Sequence, residues 1–261
     1  MRVRGWSNNE YTQARKRDVL RYHQLDLKEV DHCDFCGAPL SGVSYERLSD
    51  GRIRCNDCSS TAINNPEDFK EIFYRTLQFM QDFYDIKYLV PVTVKTTDAK
   101  TIAKGTGRIF KRDVSSDRTL GYAQRGFGKF TVLIENGSPR NATIETLSHE
   151  MTHIWQYTNW NDRQMLSIYN TGDRRKNDLL YLVLREGMAM WASIQYLYQI
   201  GETYYASMQE QEAVLRKDEY GVGFILYCNA YPLVKEPSPL LYTPFKQFPP
   251  IDPDEAKSLF K

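Results

Sequence analysis

Nowhere in its 261 residues does the sequence approach the roughly 18 consecutive apolar positions of a membrane-spanning helix, and no membrane role is expected. The opening Met1–Trp6 has no apolar core of the kind a signal peptide needs, so the expected location is cytoplasmic. An excess of either charge is lacking too. With 34 Lys and Arg against 33 Asp and Glu the net charge is +1, which gives the chain no overall pull toward nucleic acid or an anionic surface. Cysteine is scarce at five, and four of the five fall in two CxxC pairs. That count and spacing argue against a disulfide framework and for metal ligation in a reducing compartment, with Cys228 left as a small apolar residue. What is present is 41% hydrophobic and 26% charged, the balance of a folded globular chain rather than a disordered one.

Only four histidines occur, and two of them frame the run His149-Glu150-Met151-Thr152-His153. This is HExxH. Residues four apart share one face of a helix, so both imidazoles can reach one metal ion while Glu150 projects beside them as a base. A catalytic zinc takes a third protein ligand and keeps its fourth position for water. Glu186 is the candidate, because it interrupts an apolar helical stretch, Leu179 to Tyr198, where an inward carboxylate needs a strong partner. A bare surface pair of histidines is the competing reading. Ile144, Leu147, Met151, Ile154 and Trp155 fall on the helical repeat and argue against it, since they would bury this helix.

Cys33-Asp34-Phe35-Cys36 and Cys55-Asn56-Asp57-Cys58 form two knuckles whose separation suits one tetrahedral zinc held by four thiolates. Four sulfurs leave no open position, so this zinc is expected to be structural; His23 and His32 lie near as substitute ligands but are not required. Gly37, Gly42 and Gly51 supply turns, with strand material at Tyr45 and Ile53. Residues 1–30 carry the basic cluster Arg15, Lys16, Arg17 and Arg21 and are read as a partly helical arm with a solvated face, or else a dock for an acidic partner.

Asn65 and Pro66 open a helix whose Phe69, Ile72, Phe73, Leu77, Met80 and Phe83 read as core. Tyr88 to Lys95 reads as a strand with Pro91 favouring an edge or bulge. Residues 97–129 read as loops with one strand near Leu120 to Ala123. Phe130 to Glu135 is a strand, either an interior one or an edge able to hold an extended substrate. The HExxH helix is expected from Asn141 or Ala142 to about Tyr157, a Glu186 helix stops at Gly201, another runs from Glu202 to about Asp218, and an apolar segment reaches Tyr231. Seven of the eleven prolines follow between Pro232 and Pro253, a tail lying on the surface or docking as an extended segment.

HExxH, then Glu186-Gly187-x-Ala189-x-Trp191, then Tyr220-x-x-Gly223-Phe224 together resemble the gluzincin metallopeptidases, including the leukotriene-hydrolase type aminopeptidases. The resemblance implies that Tyr220 stabilises the tetrahedral intermediate. A likeness covering roughly residues 31 to 230 adds the second CxxC pair preceded by Leu48-Ser49-Asp50-Gly51-Arg52, the helix from Pro66, and the strand before Leu147-Ser148-His149-Glu150-Met151-Thr152-His153-Ile154-Trp155. In that order these resemble the plant DA-one growth-regulating peptidases, which are LIM-domain-bearing and ubiquitin-activated. A single four-cysteine site makes this at most half of a LIM domain. No acidic ubiquitin-interacting helix is evident, so ubiquitin dependence is not carried over, and without a Gly-x-Met-Glu-Asn strand neither is aminopeptidase activity.

The expected fold is therefore α+β: a basic arm (1–30), a LIM-like zinc knuckle (31–62), a zincin-like peptidase domain (63–231) and a proline-rich tail (232–261). One catalytic and one structural Zn2+ are expected. The expected function is a zinc-dependent endopeptidase on protein or peptide substrates, using a metal-activated water with Glu150 as general base. The alternative is a protein-interaction module whose working surface is the knuckle. A nucleic-acid role through Arg52, Arg54 and the Arg15–Arg21 cluster finds no support in the near-neutral charge.

Overall fold

The computed structural model describes residues 31–110, 112, 119–239 and 242–260; the expected arm 1–30 lies outside them. The knuckle is a small unit with its own core. Strand β1 (Tyr45–Arg47) pairs antiparallel with β2 (Ile53–Cys55), and helix α1 (Asn56–Ser60) follows at once. Cys33, Cys36, Ala38, Leu40, Ile53, Cys55 and Cys58 pack together, separate from the main core. The turn between the strands needs Gly51, whose φ of 94° is open to glycine at little cost.

Helix α2 (Pro66–Phe83) starts as its sequence demands. The Asn65 side chain accepts from the Asp68 backbone N–H at 2.8 Å and Pro66 takes the first turn, while Phe69, Ile72, Thr76 and Met80 form the buried stripe. Then comes β3 (Val92–Thr97), with Pro91 just before it rather than within it. Residues 98–105 are not loop. Asp98 caps a short helix α3 (Ala99–Gly105), which buries Ala99 and Ile102. Strands β4 (Gly121–Arg125) and β5 (Phe130–Glu135) complete a sheet of order β3-β5-β4, with β5 parallel to β3 and antiparallel to β4. Phe130–Glu135 is thus the interior strand, and among the described residues β3 and β4 are the two edges.

Helix α4 (Arg140–Asn159) carries HExxH, the short α5 (Asp162–Ile168) follows it, and α6 (Arg174–Gln199) carries Glu186. Helices α7 (Thr203–Leu215) and α8 (Glu219–Ala230) follow, and α6 packs on α4 and on α8. Among the described residues no helix is long and apolar enough to cross a membrane.

Of the two expectations for residues 232–261, the structure shows the docked one. Gln195 clasps the tail, its side chain bonding both the N–H and the carbonyl of Val234 at 2.8 Å, and Trp160 Nε1 donates to the Lys246 carbonyl at 3.0 Å. Phe245, Ile251 and Ala256 of short helix α9 (Pro253–Ser258) and the segment before it belong to the main core. The tail therefore shares the core of the preceding helices.

The knuckle is fastened to the sheet by the two arginines on which a nucleic-acid reading of the sequence would have drawn. Arg52 is 1% exposed; its guanidinium donates to Asp50 at 2.7 Å, to Glu135 at 2.5 Å, and to the Asn136 carbonyl and side chain at 3.0 and 2.6 Å. Arg54 donates to the Gly137 carbonyl at 2.5 Å and pairs with Glu46. The Ile63 N–H donates to the Ser138 carbonyl at 3.0 Å, and the Arg140 N–H to the Thr61 carbonyl at 2.9 Å. Residues 135–140, the turn that launches α4, are held by the knuckle along their length.

Candidate metal centres

On α4, His149 and His153 lie one turn apart on the face turned to α6. Their Nε2 atoms are 3.0 Å apart, and Glu186 Oε2 stands 3.1 Å from the first and 3.3 Å from the second. Donors about 2.1 Å from a tetrahedral ion lie about 3.4 Å apart, so this triangle fits one zinc with little adjustment. The tautomer is fixed from behind. Gln156 Nε2 donates to the Arg185 carbonyl at 3.0 Å, which turns Oε1 toward His153 Nδ1 at 2.9 Å and makes that nitrogen the N–H. His153 Nε2 is left free to ligate. Burial opposes charge on His153, but the Glu186 carboxylate lifts it to about 9, a mark of how strongly the site draws positive charge. The side chains are 14%, 11% and 13% exposed for His149, His153 and Glu186, nearly enclosed yet reachable.

Glu150 does not join the triangle. It is 7% exposed, and burial raises its carboxyl above the usual range while His153 and His149 pull it down. The Ala123 backbone N–H bonds it, so edge strand β4 lies against the site. The ladder explains the direction. Gly126 and Leu120 bond β5 through Lys129 and Glu135, so the odd-numbered residues of β4 turn their backbone groups away from β5 and toward the cleft.

Tyr220 stands in the first turn of α8, its ring 6.1 Å from that of His149 and inclined by 22°. The Arg216 guanidinium also lies over this ring, 4.6 Å from its centre, and is held by Asp218, which also caps α8 by accepting from the Gly221 N–H at 3.2 Å. Burial pushes the Tyr220 hydroxyl up, so it stays a proton donor at neutral pH. Two glycines allow this approach: a Cβ on Gly187 would sit 2.2 Å from the Gly223 carbonyl carbon. The backbones of α6 and α8 touch there, one residue after Glu186 and one turn after Tyr220.

The second set is closed. Cys33, Cys36, Cys55 and Cys58 are all buried free thiols whose sulfurs lie within 4.8 Å of one another. Cys36 and Cys55 Sγ are 3.6 Å apart, close to the roughly 3.8 Å of two thiolates on one tetrahedral zinc. The Cys55 N–H points at Cys33 Sγ at 3.3 Å, a donor that favours a thiolate. His32 is not among these donors. Cys228 packs half-buried against the main core, its thiol pushed up to about 12 by burial.

All expected site residues thus fall into two compact groups, with Glu150 and Tyr220 beside the first. Sequence reading missed Gln156, although its place three residues after His153 puts it on the same helical face. It also missed Ala123, Tyr157 and Arg185, whose relation to the site depends on contacts between elements. Comparison with protein-family models, curated proteins and solved structures returns no match, and the geometry carries the functional reading.

Proposed function

We propose that the chain is a zinc-dependent peptidase of the HExxH…E gluzincin type, with a zincin-like catalytic unit braced by a LIM-like zinc knuckle and akin to the plant DA-one peptidases. The observation that carries the reading is the convergence of His149, His153 and Glu186 with a buried carboxylate, Glu150, that stays out of the ligand triangle. A zinc ion held there supplies a Lewis acid that polarises a carbonyl and lowers the pKa of water.

The chain's own groups do the rest. Glu150 accepts the proton of the attacking water as its oxygen bonds the peptide carbon, then passes that proton to the amine nitrogen as the C–N bond breaks. The Tyr220 hydroxyl donates to the carbonyl oxygen as charge develops on it. The cleft-facing backbone groups of Gly121 and Arg125 supply partners for an extended protein or peptide substrate, which suits an endopeptidase. The burial of Arg52 and Arg54 against the sheet favours bracing over a partner-binding knuckle, and it removes both residues from any nucleic-acid face. Five free thiols suit the cytoplasm.

The test is Glu150→Gln. Its expected result is a loss of peptide cleavage by about 10³-fold or more with both metals retained, measured by turnover and elemental analysis on one preparation. Cleavage at the wild-type rate would sink the assignment.

A further inference from the structure

A second arginine near the site, Arg185, is not used by the proposed reaction. Arg185 immediately precedes Glu186, and its carbonyl is the group that orients Gln156 behind His153. Its guanidinium lies 5.7 Å from the centre of the Tyr157 ring. Tyr157 is one turn beyond His153, with ring centres 6.4 Å apart, and its other neighbour is Phe130 at 6.0 Å in a near-parallel stack. The three side chains make a continuous wall leading away from the metal triangle.

The wall is positively charged and incompletely paired. Arg185 Nη2 bonds only Asp162, at 2.8 Å, and Asp162 is 77% exposed, so solvent screens the pair and another carboxylate can take its place. Arg185 Nε is buried without a hydrogen-bond partner. Directly across the ladder from Phe130, and so on the same face of the sheet, is the exposed Arg125, which has no ion-pair partner among the described residues. A guanidinium resting on an aromatic ring with donors to spare is preorganised for two-pronged recognition of a carboxylate.

We propose that Arg185, on its Tyr157 platform, forms a subsite that binds a carboxylate of the substrate beside the scissile bond. The inference rests on the peptidase reading. The carboxylate comes from an Asp or Glu side chain within an extended chain, or from a chain's C-terminus, in which case the enzyme trims ends.

The test uses an array of extended peptides in pairs that differ by Glu for Gln at one position, plus pairs with a free or an amidated C-terminus, probed with full-length Glu150→Gln protein. The expected result is an acid-over-neutral binding ratio of about tenfold at one position. Arg185→Gln in the same background brings that ratio to near one while leaving neutral peptides bound as before. Asp162→Asn, which alters only an exposed side chain, raises the ratio by releasing Arg185. Whichever kind of pair carries the ratio identifies the source of the carboxylate. No acid-over-neutral ratio at any position, or a ratio unmoved by both substitutions, overturns the proposal. Failure of the peptidase reading is distinct from this: the ratio holds, yet wild-type protein cuts none of the bound peptides.

Discussion

The four knuckle sulfurs and the His149–His153–Glu186 triangle each converge within 4.8 Å, yet they differ in what surrounds the donors. The knuckle cysteines are at most 6% exposed, and four sulfurs would complete the tetrahedral shell of an ion held there, leaving it nothing to offer a substrate. The triangle stops at three donors, and a non-ligand carboxylate and a phenol hydroxyl stand next to it. The knuckle also sends Arg52 and Arg54 into the turn that starts α4. On the proposed reading, a metal in the knuckle would stabilise the platform that carries the other centre, one centre serving the fold and the other the chemistry.

That division can be broken at several points. Cys58→Ser should do most damage, because a structural zinc contributes on the order of 10 kcal/mol to the fold it organises. The expected outcome is one zinc lost and the knuckle unfolded, checked by elemental analysis and by protease sensitivity of residues 31–62. Arg52→Met tests the link between the halves. It strands Asp50 and Glu135 beside a lost cation, and a cost of about 3–5 kcal/mol is expected in denaturant unfolding with both metals still bound. Gln156→Ala acts only on the open centre, where zinc affinity should fall about 10- to 100-fold by competition with a chelator while stability barely changes.

The smallest effect concerns Glu145, which belongs to neither donor set. Burial pushes its carboxyl up to about 7, against the Tyr205 hydroxyl that donates to it at 2.7 Å. A folded chain that holds a proton the unfolded chain has released loses stability as pH rises from about 4.5 toward 7. Glu145→Gln should flatten that part of the Tm–pH curve and leave the rest unchanged.

The residues of both centres were legible because local period and spacing place them. HExxH works through one turn of helix, CxxC through one knuckle, and Glu186 stands out in an apolar run. Gly187 and Gly223 carried a resemblance whose steric reason, helix backbones in contact, only the structure supplies. What was hidden depends on long-range pairing. Helix α3 has seven residues and only Ala99 and Ile102 to bury, too short a pattern to recognise. Nothing in Phe130–Glu135 says that it lies between β3 and β4. Prolines made residues 232–261 read as a separate tail, while Phe245 and Ile251 find their partners far back in the chain. The bracing role of Arg52 and Arg54 was hidden because Glu135 and Gly137 lie some 80 positions away.

The central claim, one closed and one open centre, is tested most directly by zinc content in wild type and Glu186→Ala, purified without added metal. Two zinc ions per chain falling to one, with the fold intact, is the expected result. One zinc per chain in both proteins would contradict it.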